Sequence, residues 1–192
     1  MKIWELKTDP NNNGALIIPN DEEREKLLFD YIFEGKSISE RWQPIKVEGF
    51  EVEEGKGNDT LSFSAGIPAV SEKAVFVLAD LLKEVTEILP LDYRKEKYYA
   101  INVVQVIDCI NYEKAECIRF KNSDDVMDFK KYAFKPELVK DKHIFKIPEH
   151  PRAYVLVSDE FRKCVLDSGL EGFDFEELWD SEKEWYVDIE LK

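Results

Sequence analysis

The sequence predicts an α+β protein: a largely antiparallel sheet with a few helices packed on it. Three observations carry this expectation. Helical periodicity is confined to three segments, and between them lie runs of aromatic and β-branched residues of strand length. Runs of strands with few helices between them favour antiparallel pairing. The chain has 192 residues, 44% hydrophobic and 12% aromatic, and a globular chain of this size buries roughly 70% of its unfolded surface. It needs no disulfide or metal to close its core. We expect a single domain over residues 1–192, with 1–60 set apart as a variable N-terminal lobe.

The elements follow in order. Residues 3–6 alternate like a short strand. Asp9-Pro10-Asn11-Asn12-Asn13-Gly14 is turn-rich, because Asn, Gly and Pro reach turn conformations cheaply. A short apolar run, 15–18, ends before Pro19. Asn20 or Asp21 caps a helix to about residue 33, with Leu27, Leu28, Tyr31 and Ile32 at helical spacing and Gly35 as its stop. Trp42, Ile45 and Val47 read as a strand, and the polar stretch 48–59, with three glycines, reads as a loop. Ser71 caps the clearest helix, 71–85, whose Ala74, Val75, Leu78, Leu81, Leu82 and Val85 form one apolar face between Pro68 and Pro90.

The pattern then changes. Residues 97–107 form a nearly continuous β-branched and aromatic run, expected to be an inner strand covered on both faces. Further strands are expected at 116–120, 126–134, 143–147 and 153–157. Ser158 caps a short helix that Gly169 ends, with Phe161, Cys164 and Val165 inward. Residues 170–192 fit two strands joined at 180–184.

Charge narrows the function. The net charge is −14, from 41 acidic and 27 basic residues. Nucleic acid and anionic membranes repel such a chain, because phosphate binding needs clustered Lys and Arg. A basic partner is attracted and its encounter accelerated, although acidity also simply aids solubility. Residues 1–90 carry −8, 91–152 carry +2 and 153–192 carry −8, so the acid sits at both ends. The first residues alternate apolar and charged side chains, unlike a signal peptide, and no run reaches a membrane span of about 20 residues. A cytoplasmic protein is expected.

The residues of a self-contained catalytic site are not found. His143 falls in a strand and His150 in a turn, and neither has a marked nucleophile near it in sequence. Cys109, Cys117 and Cys164 are widely spaced and read as reduced core thiols rather than zinc ligands. Cys164 beside Lys163 is better explained as a buried apolar residue than as a nucleophile. Gly55-Lys56-Gly57 lacks the leading glycine and following helix of a phosphate loop. Asp124, Asp125 and Asp128 lack the pattern of a calcium loop. No metal or cofactor is expected. The strongest binding signal is the stretch 176–185: Glu176, Glu177, Asp180, Glu182 and Glu184 with Trp179 and Trp185. Tryptophan favours interface hot spots and carboxylates attract basic groups. Glu176, Glu177, Asp180, Glu182, Glu184 and Trp185 are the candidate partner-binding residues. Core packing of both tryptophans is the plainer alternative.

Several segments resemble a known family when taken together. They are Pro68-Ala69-Val70-Ser71-Glu72-Lys73-Ala74-Val75, Glu87-Ile88-Leu89-Pro90-Leu91, Tyr98-Tyr99-Ala100-Ile101-Asn102-Val103 with Asp108, His143-Ile144-Phe145-Lys146, Val157-Ser158-Asp159-Glu160-Phe161, and Gly169-Leu170-Glu171-Gly172-Phe173-Asp174-Phe175 with Leu178-Trp179. In this order they resemble the bacterial immunity proteins of polymorphic toxin systems, over roughly residues 60–180. The resemblance implies a small cytoplasmic protein encoded beside a toxin gene, which binds the toxin and inhibits it stoichiometrically. It implies no catalytic residues, and it leaves 1–60 as a place for partner specificity. The alternatives are a carboxylate/histidine enzyme and a regulatory protein-binding module. Oligomeric state is left open.

Overall fold

The computed structural model describes residues 1–9, 11, 14–52 and 58–183. Two sheets and a hairpin organise them, as the α+β expectation requires. Strands β1 (Lys2–Thr8), β10 (Ile144–Phe145), β11 (Leu156–Ser158) and β12 (Phe173–Asp180) form an antiparallel sheet in the order β10-β11-β1-β12. Strands β2 (Ala15–Ile17), β3 (Glu48–Phe50), β4 (Thr60–Ser64), β5 (Ile67–Ser71), β6 (Thr86–Pro90) and β7 (Tyr98–Val103) form a second, ordered β3-β2-β4-β5-β7-β6. Among the described residues its strands pair antiparallel except β2 with β4, which are parallel. β8 (Glu116–Arg119) and β9 (Val126–Lys131) pair as a separate hairpin.

Three apolar clusters stack between these layers. One face of the six-stranded sheet (Leu61, Ala69, Tyr98, Ala100) is covered by the N-terminal segment through Leu27, Tyr31, Phe33, Ile38 and Ile45. The other face (Val70, Ile101, Val103) meets the short helices and the four-stranded sheet through Leu78, Phe161, Val157 and Ile144. The far face of the four-stranded sheet (Ile3, Phe145, Leu156, Trp179) packs on Phe129 and Phe134. Neighbouring residues on β5, β7 and β11 serve opposite clusters, as the two-residue strand period demands. β7 is an inner strand buried on both faces, as its sequence predicts.

Some elements differ from expectation. The first helix is α1 (Asp21–Glu25), capped by Asn20, whose side chain accepts from the Glu23 N–H. It then widens into a π turn, residues 26–30, closed by the Tyr31 N–H donating to the Lys26 carbonyl at 2.9 Å. Leu28, expected inside, is thereby exposed. The second helix is capped at Ser71 as predicted. It is short, however: α2 (Glu72–Val77) and α3 (Ala79–Leu82) meet at Leu78. Glu84 in the left-handed region (φ 65°) then turns the chain into β6, a strand the sequence reading does not assign. Ala74, Leu78 and Leu82 are buried as the apolar face required. Trp42, Ile45 and Val47 form no strand, whereas 48–50 of the expected loop does. The remaining helices are α4 (Pro136–Val139) and α5 (Asp159–Asp167). Ser158 caps α5 by accepting from the Phe161 N–H at 3.2 Å.

A bulge in β12 decides which side chains face where. Ile3 pairs with Trp179 but Trp4 pairs with Glu177, leaving Leu178 as an extra residue. Phe175 therefore packs in the cluster between the sheets while Trp179 packs in the outer one. Without the slip, residues 173, 175 and 179 share one face.

Candidate partner-binding surface

The N-terminal strand β1 and the acidic β12 are neighbours in space. β1 and β12 run antiparallel along nearly their whole length, and the Ser181 N–H donates to the Met1 carbonyl at 2.9 Å. Glu5 stands directly opposite Glu176, a pairing of like charges that costs stability unless offset. Lys7, two residues along the same face, offsets it by pairing with both carboxylates. Burial pushes the Glu5 carboxyl up; Lys7 opposes this and Glu176 adds to it.

On this β1–β12 ledge the predicted residues of β12 divide between the two faces of the sheet: Glu176 lies with Glu5 and Lys7, and Glu177 and Asp180 lie on the other face opposite Trp4 and Lys2. Glu177 pairs with Lys183 and with Lys2, and these two cations hold its carboxyl below the usual range. Asp180 accepts from the Glu182 N–H at 3.0 Å and pairs with Lys2 at 3.4 Å, and its carboxyl is likewise held low. Glu182 is exposed in the turn after β12. Glu184 and Trp185, and with them the second expected strand, lie outside the described residues. Trp179 is a core residue, 5.7 Å ring to ring from Phe134. The ledge is thus internally compensated, with its outward carboxylates at Glu176 and Glu182. Sequence reasoning missed the lysines of β1, which no local pattern connects to residues 176–180. Beside the ledge a cleft of about 550 Å³ opens between the sheets, lined by Glu5, Lys7, Ser62, Ser64 and Tyr154.

The catalytic candidates are placed as follows. His143 Nδ1 lies 3.2 Å from Ser158 Oγ and 3.0 Å from Glu160 Oε2, in a cleft of about 210 Å³ with Asp141 and Asp159. A Ser–His–acid relay needs the nucleophile at one ring nitrogen and the carboxylate at the other. Here both meet the same nitrogen, and the Ser158 oxygen is engaged in capping α5. The imidazole of His150 sits edge-on to the rings of Phe129 and Tyr154. All three cysteines are free thiols, and burial pushes that of Cys109 up to about 12, far from a reactive thiolate. Among the described residues, no group of three or more His, Cys, Asp or Glu is arranged to hold a metal ion. No helix among them is long and apolar enough to cross a membrane.

Three polar nodes hold the scaffold. Asp59 accepts from Ser71 Oγ at 2.9 Å, Lys73 Nζ at 2.9 Å and the Glu171 N–H at 3.0 Å, which ties the motif segments around 68–75 and 169–175 together. Glu87 on β6 accepts from Ser37 Oγ and the N–H groups of Ile38 and Ser39, with Asn102 Nδ2 as a fourth donor. Burial alone raises its pKa, but these donors outweigh burial and hold it at about 2. Lys146 is fully buried, and its ammonium donates to the carbonyls of Phe33, Pro151 and Gly66 at 2.8, 2.8 and 3.2 Å. Gly66 is obligatory beside it: φ is +66°, and a Cβ would stand 2.2 Å from the Arg152 carbonyl oxygen.

Comparison with known proteins completes this description. A search of curated proteins at a stringent threshold found no match. The family model of the Imm11 immunity proteins matches residues 10–180, extending the likeness N-terminally well beyond residue 60. The motif segments do scaffold work at Asp59, which accords with a likeness carried by fold-determining residues. The chain belongs to the Imm11 family of immunity proteins.

Proposed function

We propose that the protein binds a cognate bacterial toxin domain in the cytoplasm of the producing cell and neutralises it by stoichiometric inhibition rather than by turnover. The observation that carries this reading is the Imm11 match over residues 10–180. Acidity supports a basic toxin of a polymorphic system: the chain carries −14, and β12 with the turn after it carries five carboxylates, at 174, 176, 177, 180 and 182, against three lysines, at 2, 7 and 183. In this reading Glu176, Glu177, Asp180 and Glu182 steer the toxin in, together with Glu184 and Trp185 beyond the described residues. Residues 1–60 set partner specificity within one functional unit. Paired carboxylates suit steering, because a patch that is net negative still projects a field while its geometry stays fixed.

The test is titration of purified toxin domain with this protein. Inhibition that ends at one equivalent and does not deepen with time supports the reading. Inhibition by a small fraction of an equivalent, with covalent change in the toxin by mass spectrometry, overturns it in favour of an enzyme. The cleft at His143 is where such an enzyme would start. His143→Ala is expected to leave protection of co-expressing cells unchanged.

A further inference from the structure

Leu28 and Phe29 belong to a segment whose apolar residues pack inward, yet they are 54% and 72% exposed. The cause is local. The π turn over 26–30 keeps Leu27 and Tyr31 in the core and turns the two residues between them, with Asp30, to the outside. Such turns are rarer than regular helix and concentrate at functional sites. The knob is firmly mounted: the Tyr31 ring lies 4.6 Å from that of Trp42, and Tyr31 Oη accepts from the Gln43 N–H at 3.0 Å. Its presented shape is therefore organised before any partner arrives, which lowers the ordering cost of binding.

The surroundings specify the partner. Residues 20–30 carry five carboxylates against two cations. Arg24 pairs with Asp21, and Lys26 with Glu22 and Glu23. Among the described residues, Glu25 and Asp30 have no ion-pair partner within 4 Å. An apolar centre with an acidic rim is complementary to an apolar recess flanked by Lys or Arg. Phe76, 82% exposed on α2, is a single exposed aromatic with no adjacent exposed apolar side chain in sequence.

We propose that the Leu28–Phe29 knob is the apolar hot spot by which this protein docks on its toxin, filling a recess edged by basic side chains. The proposal rests on the immunity reading and deepens it. A buried aromatic anchor governs how slowly a complex dissociates, whereas the β12 ledge governs how fast it forms.

The probe is the catalytically inactivated toxin domain encoded beside the gene, immobilised for binding kinetics. The Leu28→Ser/Phe29→Ser double variant is expected to dissociate at least about 30-fold faster than the wild type. Its melting temperature stays unchanged, since neither side chain is buried, and Phe76→Ser dissociates like the wild type. Glu25→Lys with Asp30→Lys slows association. If the double variant dissociates at the wild-type rate, the knob is refuted and the immunity reading stands. If the wild type does not bind that domain at all, both fall together.

Discussion

The β1–β12 ledge and the segment 21–30 are both acidic, and they treat charge and apolar surface in opposite ways. On the ledge, Lys2, Lys7 and Lys183 pair with the carboxylates, and Trp179 is buried beneath. In 21–30 the helix leaves Glu25 and Asp30 outward, and the π turn puts Leu28 and Phe29 in water. The ledge is long-range in sequence and closed; the segment is local and open. A closed surface contributes to folding, and an open one holds binding energy in reserve for a partner.

The largest expected effect breaks the closed region. Trp179→Ala removes a large ring packed against Phe134 and is expected to cost about 3–5 kcal/mol in denaturant unfolding. Phe29→Ala, equally aromatic but exposed, is expected to stay within about 0.5 kcal/mol of wild type. Equal losses at the two sites erase the contrast.

Lys146 ties segments distant in sequence together, because its carbonyl partners are those of Phe33, Gly66 and Pro151. Burial pushes its ammonium down to about 8 from an ordinary 10.5, while the three carbonyls favour the charge. Between these values the unfolded chain holds more protons than the folded one, so stability contributed by this group rises with pH from about 8 to about 10.5. The rise is at most about 3.5 kcal/mol at ~1.4 kcal/mol per unit. Unfolding free energies measured across that window should climb for wild type and lose that climb in Lys146→Met.

Glu87 sharpens the comparison at low pH. Its donors latch the loop 37–39, and with it the open region, onto β6. With the folded pKa at about 2 against an ordinary 4.5, the latch stabilises fully above about 4.5 and is lost as pH falls toward 2. Hydrogen exchange in residues 31–45 should accelerate over that range ahead of exchange in β1 and β12. Glu87→Gln should show the acceleration already at neutral pH.

The smallest effect lies on the ledge surface. Lys7→Ala leaves Glu5 facing Glu176 and is expected to cost no more than about 1 kcal/mol, diminishing with salt. A similar loss at high salt contradicts the electrostatic account of that pair.

Much of the fold was legible locally. Ser71 and Ser158 announce helix starts because a hydroxyl before an apolar face can satisfy a free backbone N–H. The run at 97–107 announces an inner strand because only burial on both faces accommodates it. β6 was not legible, since Thr86-Glu87-Ile88-Leu89 continues the apolar spacing of the helix before it, and the turn at Glu84 leaves no Gly or Pro signal. Nor was the exposure of Leu28: helical and π turns share their apolar residues and differ by one hydrogen bond. Of the candidate surface, the acid was visible in composition, but its compensation by Lys2 and Lys7 was not, because those residues lie more than 160 positions away.

By itself, then, the sequence determined the fold class, the helix caps, the inner strand and the acidic character of both chain ends, for each follows from neighbours within a few residues. The tertiary structure alone decided that the lysines of β1 lie beside the carboxylates of β12, that a bulge at Leu178 sends Trp179 into a different core from Phe175, and that Lys146 is buried among three carbonyls. These depend on contacts between residues distant in the chain, which no local periodicity encodes.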